Sequence, residues 1–514
     1  MVQFLTAREA VDLIKDGDTL ASSAFLVTAM PEAVLKALGN RFDETGHPQN
    51  LTLMHTAGIG SGDEHGLNYL AKEKLFKRVI AGHWNMTRKI GKLAAEEKIE
   101  AYNLPQGVIS HMYRDIAAGK LGTLTHVGLL TFIDPRLEGG KINKSAREDL
   151  VQVVKIGDQE RLLYKAFPLN ACILRGSYAD ERGNVTLQNE GVTTEARAIA
   201  QATRNSGGVV IVQVDAVVKA GSLDPRLVMI PGIYVDVVVV TPDEEKATAV
   251  EFQSPWFRGD AVIPTSALAP APLDERKIIG RRAAMELVPG AVVNLGIGVP
   301  EMVSQVANEE GVGDMMTMVI EAGPVGGVPQ GGLLFGVSVN PEAILDQPAQ
   351  FDFFDGGGLD MAFLGLAEAD AEGNINVSKL GSRITGAGGF INITQNSKRV
   401  FFCGTFTAKG LRISTGDGTL HIDSEGTQKK FVKEVGQVTF SGKYARQVKQ
   451  PVKYITERAV FELRENGMHL VEIAPGIDLE KDILAHMDFT PHMDTPPVLM
   501  DERLFREGRI GLHK

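Results

Sequence analysis

Two stretches of the chain repeat one pattern of apolar and polar positions. AVDLIKDGDTLASSAFLVTAMPEAVLKAL (residues 10–38) and AAMELVPGAVVNLGIGVPEMVSQVA (283–307) each show apolar residues at helical spacing, a glycine turn and a short β-branched run. A loop follows, and then Pro-Glu opens a second helical period, with Gly17 matching Gly290 and Pro31 matching Pro300. Proline suits a helix start, where its missing N–H would be unpaired anyway. A second pair follows: Ala179-Asp180-Glu181-Arg182-Gly183-Asn184-Val185 resembles Ala369-Asp370-Ala371-Glu372-Gly373-Asn374-Ile375. Behind these lie Asn205-Ser206 and Asn396-Ser397, each followed by an apolar run, VVIVQVD and VFFCGTF. Asp180 and Asp370 are 190 positions apart, and Asn205 and Asn396 are 191 apart, so the later parts of the two halves keep register. A repeat of this size fixes the architecture before single elements are assigned.

The runs LTLMHTAG, VVIVQVD, YVDVVVV, AVVNLGIG and MMTMVIEAG are rich in β-branched residues and alternate with helical periods. That predicts an α/β fold of two similar open domains with mostly parallel sheets covered by helices. The stretch 261–277, AVIPTSALAPAPLDERK, is rich in Pro and Ala, lacks either period and reads as a linker. The expected domains are 1–262 and 275–514, joined by 263–274.

Composition narrows the function. The 514 residues are 44% hydrophobic and 23% charged, enough apolar side chain for a sizeable core and too much for disorder. A net charge of −11 argues against a nucleic-acid or anionic-membrane binder, while leaving room for a local basic groove. Only Cys172 and Cys403 occur, each inside an apolar run; both read as buried strand residues rather than a disulfide or thiolate metal pair. The N-terminus carries Arg8, Glu9, Asp12, Lys15 and Asp16 in place of a signal-peptide core, and no run of roughly 18 apolar residues occurs. The chain reads as cytoplasmic.

In open α/β sheets, ligands lie beyond the carboxyl ends of strands. The run 315–320 ends directly in Glu321-Ala322-Gly323-Pro324-Val325-Gly326-Gly327, a carboxylate followed by more glycine than a plain hairpin needs. Glu321 either caps that turn or does chemistry. Phe353-Phe354-Asp355 leads into Gly356-Gly357-Gly358, and Ile384-Thr385 into Gly386-Ala387-Gly388-Gly389. Such loops can offer backbone N–H groups to an anion or oxyanion, although most glycine pairs are turns. Gly296-Ile297-Gly298 follows a strand and precedes a helix as a dinucleotide fingerprint would, but Glu301 stands where that motif needs Gly or Ala. No Gly-Lys-Ser/Thr closes a phosphate loop, and no serine elbow with a plausible triad is present. His486, Asp488, His492 and Asp494 cluster, but Pro491 disrupts helical presentation, so no metal is expected.

Around Glu321 the chain resembles the family I coenzyme A transferases with fused α-like and β-like halves. Within them it is most similar to the short-chain acyl-CoA:carboxylate type, such as acetate/propionate CoA-transferases. The resemblance spans DGDTL to VEIAPGIDLEKDILAHMDF, nearly the whole chain. It implies the NagB/RpiA-like fold of that family. Ile320-Glu321-Ala322-Gly323 resembles the loop of the family's nucleophilic glutamate, and Asn103-Leu104-Pro105-Gln106-Gly107 the motif whose glutamine amide donates to an oxyanion. Gly296-Ile297-Gly298-Val299-Pro300 resembles the loop on which CoA lies. Thr385-Gly386-Ala387-Gly388-Gly389 resembles the glycine loop that supplies a second N–H donor, from Gly388 or Gly389. One departure stands out: Ala21 to Met30, where the family has a glycine-rich loop before Pro-Glu, contains no glycine.

The resemblance implies transfer of CoA from a short-chain acyl-CoA to acetate, propionate or a 3-oxoacid through a glutamyl-CoA thioester; hydrolysis by the same glutamate is the alternative. CoA is then substrate and covalent partner, with no tightly bound cofactor, and a homodimer or homotetramer is expected. An ordinary Glu is ionised at neutral pH and needs no general base to attack. With Gln106 in one half and Glu321 in the other, the site is expected between the halves. Gly323, Val325, Phe353 and Ala24 to Val27 are candidates for the acyl pocket.

Overall fold

The structure is a computed structural model that describes residues 2–241, 253–264 and 270–512. Of the expected linker, 265–269 lie outside the described residues.

Two large sheets carry the chain, one of eight strands and one of ten. Every pairing in the eight-stranded sheet is parallel. The ten-stranded sheet is parallel at its centre and antiparallel towards both flanks, apart from a parallel edge pair between Gly467–Ile473 and Val498–Leu499. The predicted repeat appears as one strand order used twice. In the first sheet Leu51–His55, Thr19–Ser22, Ala171–Arg175, Val209–Val214 and Val237–Val240 lie side by side; in the second, Thr317–Val319, Val292–Leu295, Met361–Gly365, Arg399–Cys403 and Val452–Ile455 do so.

The matched sequence blocks fold alike. Gly17 and Gly290 both turn at positive φ, 80° and 77°, ahead of their strands, a conformation that glycine adopts without a Cβ penalty. Pro31 and Pro300 sit at the N-caps of the helices Glu32–Thr45 and Glu301–Glu310. One Oδ1 of Asp180 accepts from the backbone N–H groups of Arg182 and Asn184, both at 2.9 Å. Asp370 does the same for Glu372 and Asn374, at 3.1 and 3.0 Å.

Strands covered on both faces need apolar side chains on both, and the central strands have them. Ala171–Arg175 is buried throughout, and Phe363 and Phe401, register partners on adjacent strands, stack at 4.7 Å. Cys172 and Cys403 are both buried in central strands. Among the described residues, no helix is long and apolar enough to cross a membrane.

The two halves interlock where strand ends face each other. The helix Gln106–Ala117 follows the strand Glu100–Asn103 and packs against Gln347–Asp355 and Phe390–Asn396 of the C-terminal half. Arg114 grips Asp352 with two hydrogen bonds, at 2.7 and 2.8 Å. The glycines Gly356-Gly357-Gly358 end the helix Gln347–Asp355 instead of forming an anion loop: Gly356 caps it, with its N–H on the Asp352 carbonyl.

Candidate active site

Glu321 lies two residues beyond the strand Thr317–Val319, at the tip of a tight hairpin. The chain returns at once as Pro324–Val325, antiparallel, with Val325 opposite Val319. The glycine-rich segment is thus a hairpin after all, and its glycines explain how the tip fits. Gly323 has φ +130°, and a Cβ there would strike the Leu345 carbonyl. Gln350 holds the tip from behind, donating Nε2 to the Ile320 carbonyl at 3.0 Å.

The Glu321 side chain is only 9% exposed. Burial raises its pKa above the usual carboxylate range, while its own backbone N–H and the Asn294 amide act in the opposite direction. Asn294 sits in the neighbouring strand Val292–Leu295, fully buried; its Nδ2 donates to the Val319 carbonyl at 3.0 Å and reaches Glu321 Oε2 at 3.5 Å.

Opposite stands the glycine loop before the helix Phe390–Asn396. It is tied to the N-terminal half almost residue by residue. Trp84 donates its backbone N–H to the Thr385 carbonyl (2.8 Å), Ala387 donates to Asn103 Oδ1 (2.9 Å), and Gly388 donates to the Gly82 carbonyl (2.7 Å). Gly386 has φ +77°, and a Cβ on it would lie 2.9 Å from the Gly82 carbonyl oxygen and the Trp84 nitrogen. Of the two candidate donors, Gly388 has therefore spent its N–H within the protein, which leaves that of Gly389.

Gln106 opens its helix with the backbone N–H on the Gly388 carbonyl, at 2.9 Å. Its side chain is 2% exposed, and Nε2 has no hydrogen-bond partner among the described residues. A buried amide donor left unpaired costs free energy and marks a place where a ligand oxygen would be welcome.

These pieces meet in a cavity of about 240 Å3 between the halves. Of the residues expected from sequence, Glu321, Gln106, Gly388, Gly389, Gly386, Gly296 and Ile297 line it. Gly298, Val299 and Pro300 do not reach its wall; they lead into the helix Glu301–Glu310. Of the acyl-pocket candidates Phe25 and Leu26 line it, whereas Ala24, Val27, Gly323, Val325 and Phe353 do not, and Phe353 is exposed. Gly323 is consumed by the hairpin.

The sequence reading passed over Asn294, His83 and Phe335. Asn294 did carry a signal, since an amide inside the apolar run AVVNLGIG has to find a partner. His83 carried none. Its Nδ1 is buried and has no partner among the described residues, and burial pushes its pKa down to about 4, so the ring is neutral at neutral pH.

Residues 4–241 match the family model described as coenzyme A transferase. The caffeate CoA-transferase of Acetobacterium woodii is 47% identical, with 100% of this chain and 99% of the relative aligned. Acetate CoA-transferase YdiF of Escherichia coli (strain K12) is 43% identical over 99% of this chain and 96% of its own length. The crystal structure of the E. coli O157:H7 acyl-CoA transferase YdiF as a thioester complex with CoA superposes with a TM-score of 0.95 at 42% identity, covering 100% of this chain and 98% of the other. With full-length relatives at this level of identity, the chain belongs to the coenzyme A transferase family.

Proposed function

We propose that the enzyme, a CoA-transferase, moves CoA from an acyl-CoA to a free carboxylate in two half-reactions through a thioester on Glu321. The observation that carries this reading is the shared cavity: the buried carboxylate of one half lines it together with an amide donor of the other that has no partner among the described residues.

A Glu321 oxygen attacks the thioester carbonyl, the C–S bond breaks, and CoA leaves as the thiolate. The product is a mixed anhydride between Glu321 and the acyl group. The thiolate attacks the glutamyl carbonyl carbon, the C–O bond to the donor acid breaks, and the donor departs as a carboxylate. Glu321 now holds CoA as a thioester, and an acceptor carboxylate runs the same steps backwards. No proton is gained or lost, so no general base is needed.

Each attack passes through a tetrahedral oxyanion. Gln106 Nε2 and the Gly389 N–H are its donors, a preorganised pair of the kind worth roughly 3 kcal/mol per donor. Gly386 and Gly388 shape the loop that presents Gly389, while Gly296 and Ile297 bound the side from which the CoA thiol enters. The domains are 1–262 and 275–514, and the reaction needs both, because neither holds nucleophile and donors alone. A shared cavity also keeps water from the anhydride and the thioester, which would otherwise hydrolyse.

The test is intact and peptide mass spectrometry after exposure to propionyl-CoA without acceptor. A CoA adduct is expected on the peptide containing Glu321, and absent in Glu321→Ala. An adduct on a different residue would overturn the assignment.

A further inference from the structure

The glycine-free loop between the strand Thr19–Ser22 and the helix Glu32–Thr45 is where the sequence departs from its family, and the structure shows what the loop became. Ala24, Phe25, Leu26, Val27, Ala29 and Met30 are all buried. Leu26 and Ala29 are held at φ +53° and +55°, which is unfavourable for residues with a Cβ and persists only where the surroundings enforce it. The enforcement is visible. Phe25 donates to the Thr28 carbonyl at 3.0 Å, Leu26 to the Gly58 carbonyl at 2.9 Å, and Gly60 to the Leu26 carbonyl at 2.8 Å.

This pinned backbone places Phe25 and Leu26 on the wall of the cavity that holds Glu321. Phe335 of the C-terminal half completes the wall, its ring 6.0 Å from that of Phe25. Gly336, at φ +113°, brings its backbone so close to the Phe25 ring that any Cβ there would strike it, which fixes the ring in place. Ala57 and Met86 add further apolar surface.

We propose that this loop selects the acyl group: Phe25 and Leu26, closed by Phe335, accept an uncharged acyl chain beside Glu321 and refuse one bearing a second carboxylate. The selection rests on the reading of Glu321 as nucleophile and adds the substrate class. Among the described residues that line the cavity there is no Lys or Arg. Its single histidine, His83, is neutral for the reason given above. A second carboxylate would lose its hydration with no counter-charge and would lie close to the Glu321 carboxyl group. Monocarboxylic acyl groups carry no such cost and gain contact with three apolar side chains.

The experiment compares kcat/KM for propionyl-, butyryl-, hexanoyl- and succinyl-CoA with acetate as acceptor. Succinyl-CoA is expected at least ~100-fold below butyryl-CoA, in keeping with burial of an unpaired charge. Phe25→Ala is expected to raise the hexanoyl-to-propionyl ratio by at least ~10-fold, and Phe25→Leu to shift it less in the same direction, as pocket methylenes usually do. Succinyl-CoA within about tenfold of butyryl-CoA in the wild-type enzyme would overturn the proposal, as would a chain-length ratio unchanged in a folded Phe25 variant. The Glu321 adduct with propionyl-CoA is measured first. No adduct with any thioester would remove the nucleophile reading itself, whereas an adduct formed equally well from succinyl-CoA would remove the selection alone.

Discussion

The backbone N–H of Gln106 donates to the carbonyl of Gly388 at 2.9 Å, joining the start of a helix in one half to the glycine loop of the other. The mirror of that bond exists as well: Gln347, at the start of a helix in the C-terminal half, donates its N–H to the Thr194 carbonyl, also at 2.9 Å. Thr194 precedes the helix Ala196–Asn205 as Gly388 precedes Phe390–Asn396. The halves therefore grip each other reciprocally, but only the contact through Gln106 and Gly388 lines the cavity that holds Glu321. This arrangement sets the position of the Gln106 side chain without engaging its amide, so the donor is preorganised and free.

Gln106→Ala is expected to lower kcat by about 10²–10³-fold, the usual cost of one oxyanion donor. Because Nε2 has no partner among the described residues, its removal breaks no hydrogen bond among them, and Tm should move by less than about 4 °C. Steady-state kinetics beside a thermal melt decides the matter. A large loss of Tm with activity in proportion would make Gln106 a structural residue instead.

Asn294→Leu should move the acid limb of the pH profile. In the proposed mechanism the attacking species is the Glu321 carboxylate, so kcat/KM rises with pH through the pKa of that group in the free enzyme. Burial raises this pKa and the Asn294 amide opposes the rise. Removing the amide therefore takes away an influence that favours the charged form, and the limb should shift to higher pH. A limb that stayed in place or moved to lower pH would show that Asn294 does not stabilise the carboxylate.

Much of this was legible in the sequence because it repeats. The matched Gly17 and Gly290, and the twin turns at Asp180 and Asp370, announce one unit used twice, and the structure reuses one strand order. Glu321 stood out as a candidate because it directly follows an apolar strand, and the structure places it, buried, on the wall of the cavity between the halves. The bond that occupies the Gly388 N–H was not legible: its acceptor, the Gly82 carbonyl, lies more than 300 positions away in the chain and makes no local pattern. Phe335 was hidden for the same reason, since its partner Phe25 belongs to the other half. Val325 misled because closeness in sequence to Glu321 says nothing about which side of a strand faces the cavity, and Phe353 because it lies on an exposed position of the helix Gln347–Asp355.

Two glycine-to-alanine changes should have opposite signs. Gly91 lies within the helix Arg88–Ala95, and a Cβ there meets nothing within 4 Å. Gly91→Ala should stabilise by about 0.5–1 kcal/mol through helix propensity. Gly107 is also helical, but its Cβ would collide with the Phe351 ring and lie 2.5 Å from Asn392 Nδ2. Overpacking costs about 1–3 kcal/mol and exceeds the propensity gain, so Gly107→Ala should destabilise. It should also depress kcat, because Gly107 follows Gln106 and its N–H is held by Asn392 Oδ1 at 3.1 Å. Urea unfolding of both variants reads the signs, and a stabilised Gly107→Ala would mean that the halves are less tightly registered than these contacts require.

Glu195 should make stability depend on pH. It caps the helix Ala196–Asn205, is 1% exposed, and receives no hydrogen bond from another residue among those described. Burial pushes its pKa up to about 8, the Asp346 carboxylate adding to the rise and its own backbone N–H opposing it. In the unfolded chain the same group titrates in the ordinary carboxylate range, so between that range and about 8 the folded state binds the extra proton. Stability is then fully present below the unfolded pKa, declines as pH rises through this window, and levels off above about 8. Glu195→Gln carries no charge to bury and removes the decline. The unfolding free energy of the variant relative to wild type should therefore increase from pH 5 to pH 9, measured by urea titration at fixed ionic strength. A difference that stays constant across that range would mean that the carboxyl is paired in solution and titrates alike in both states.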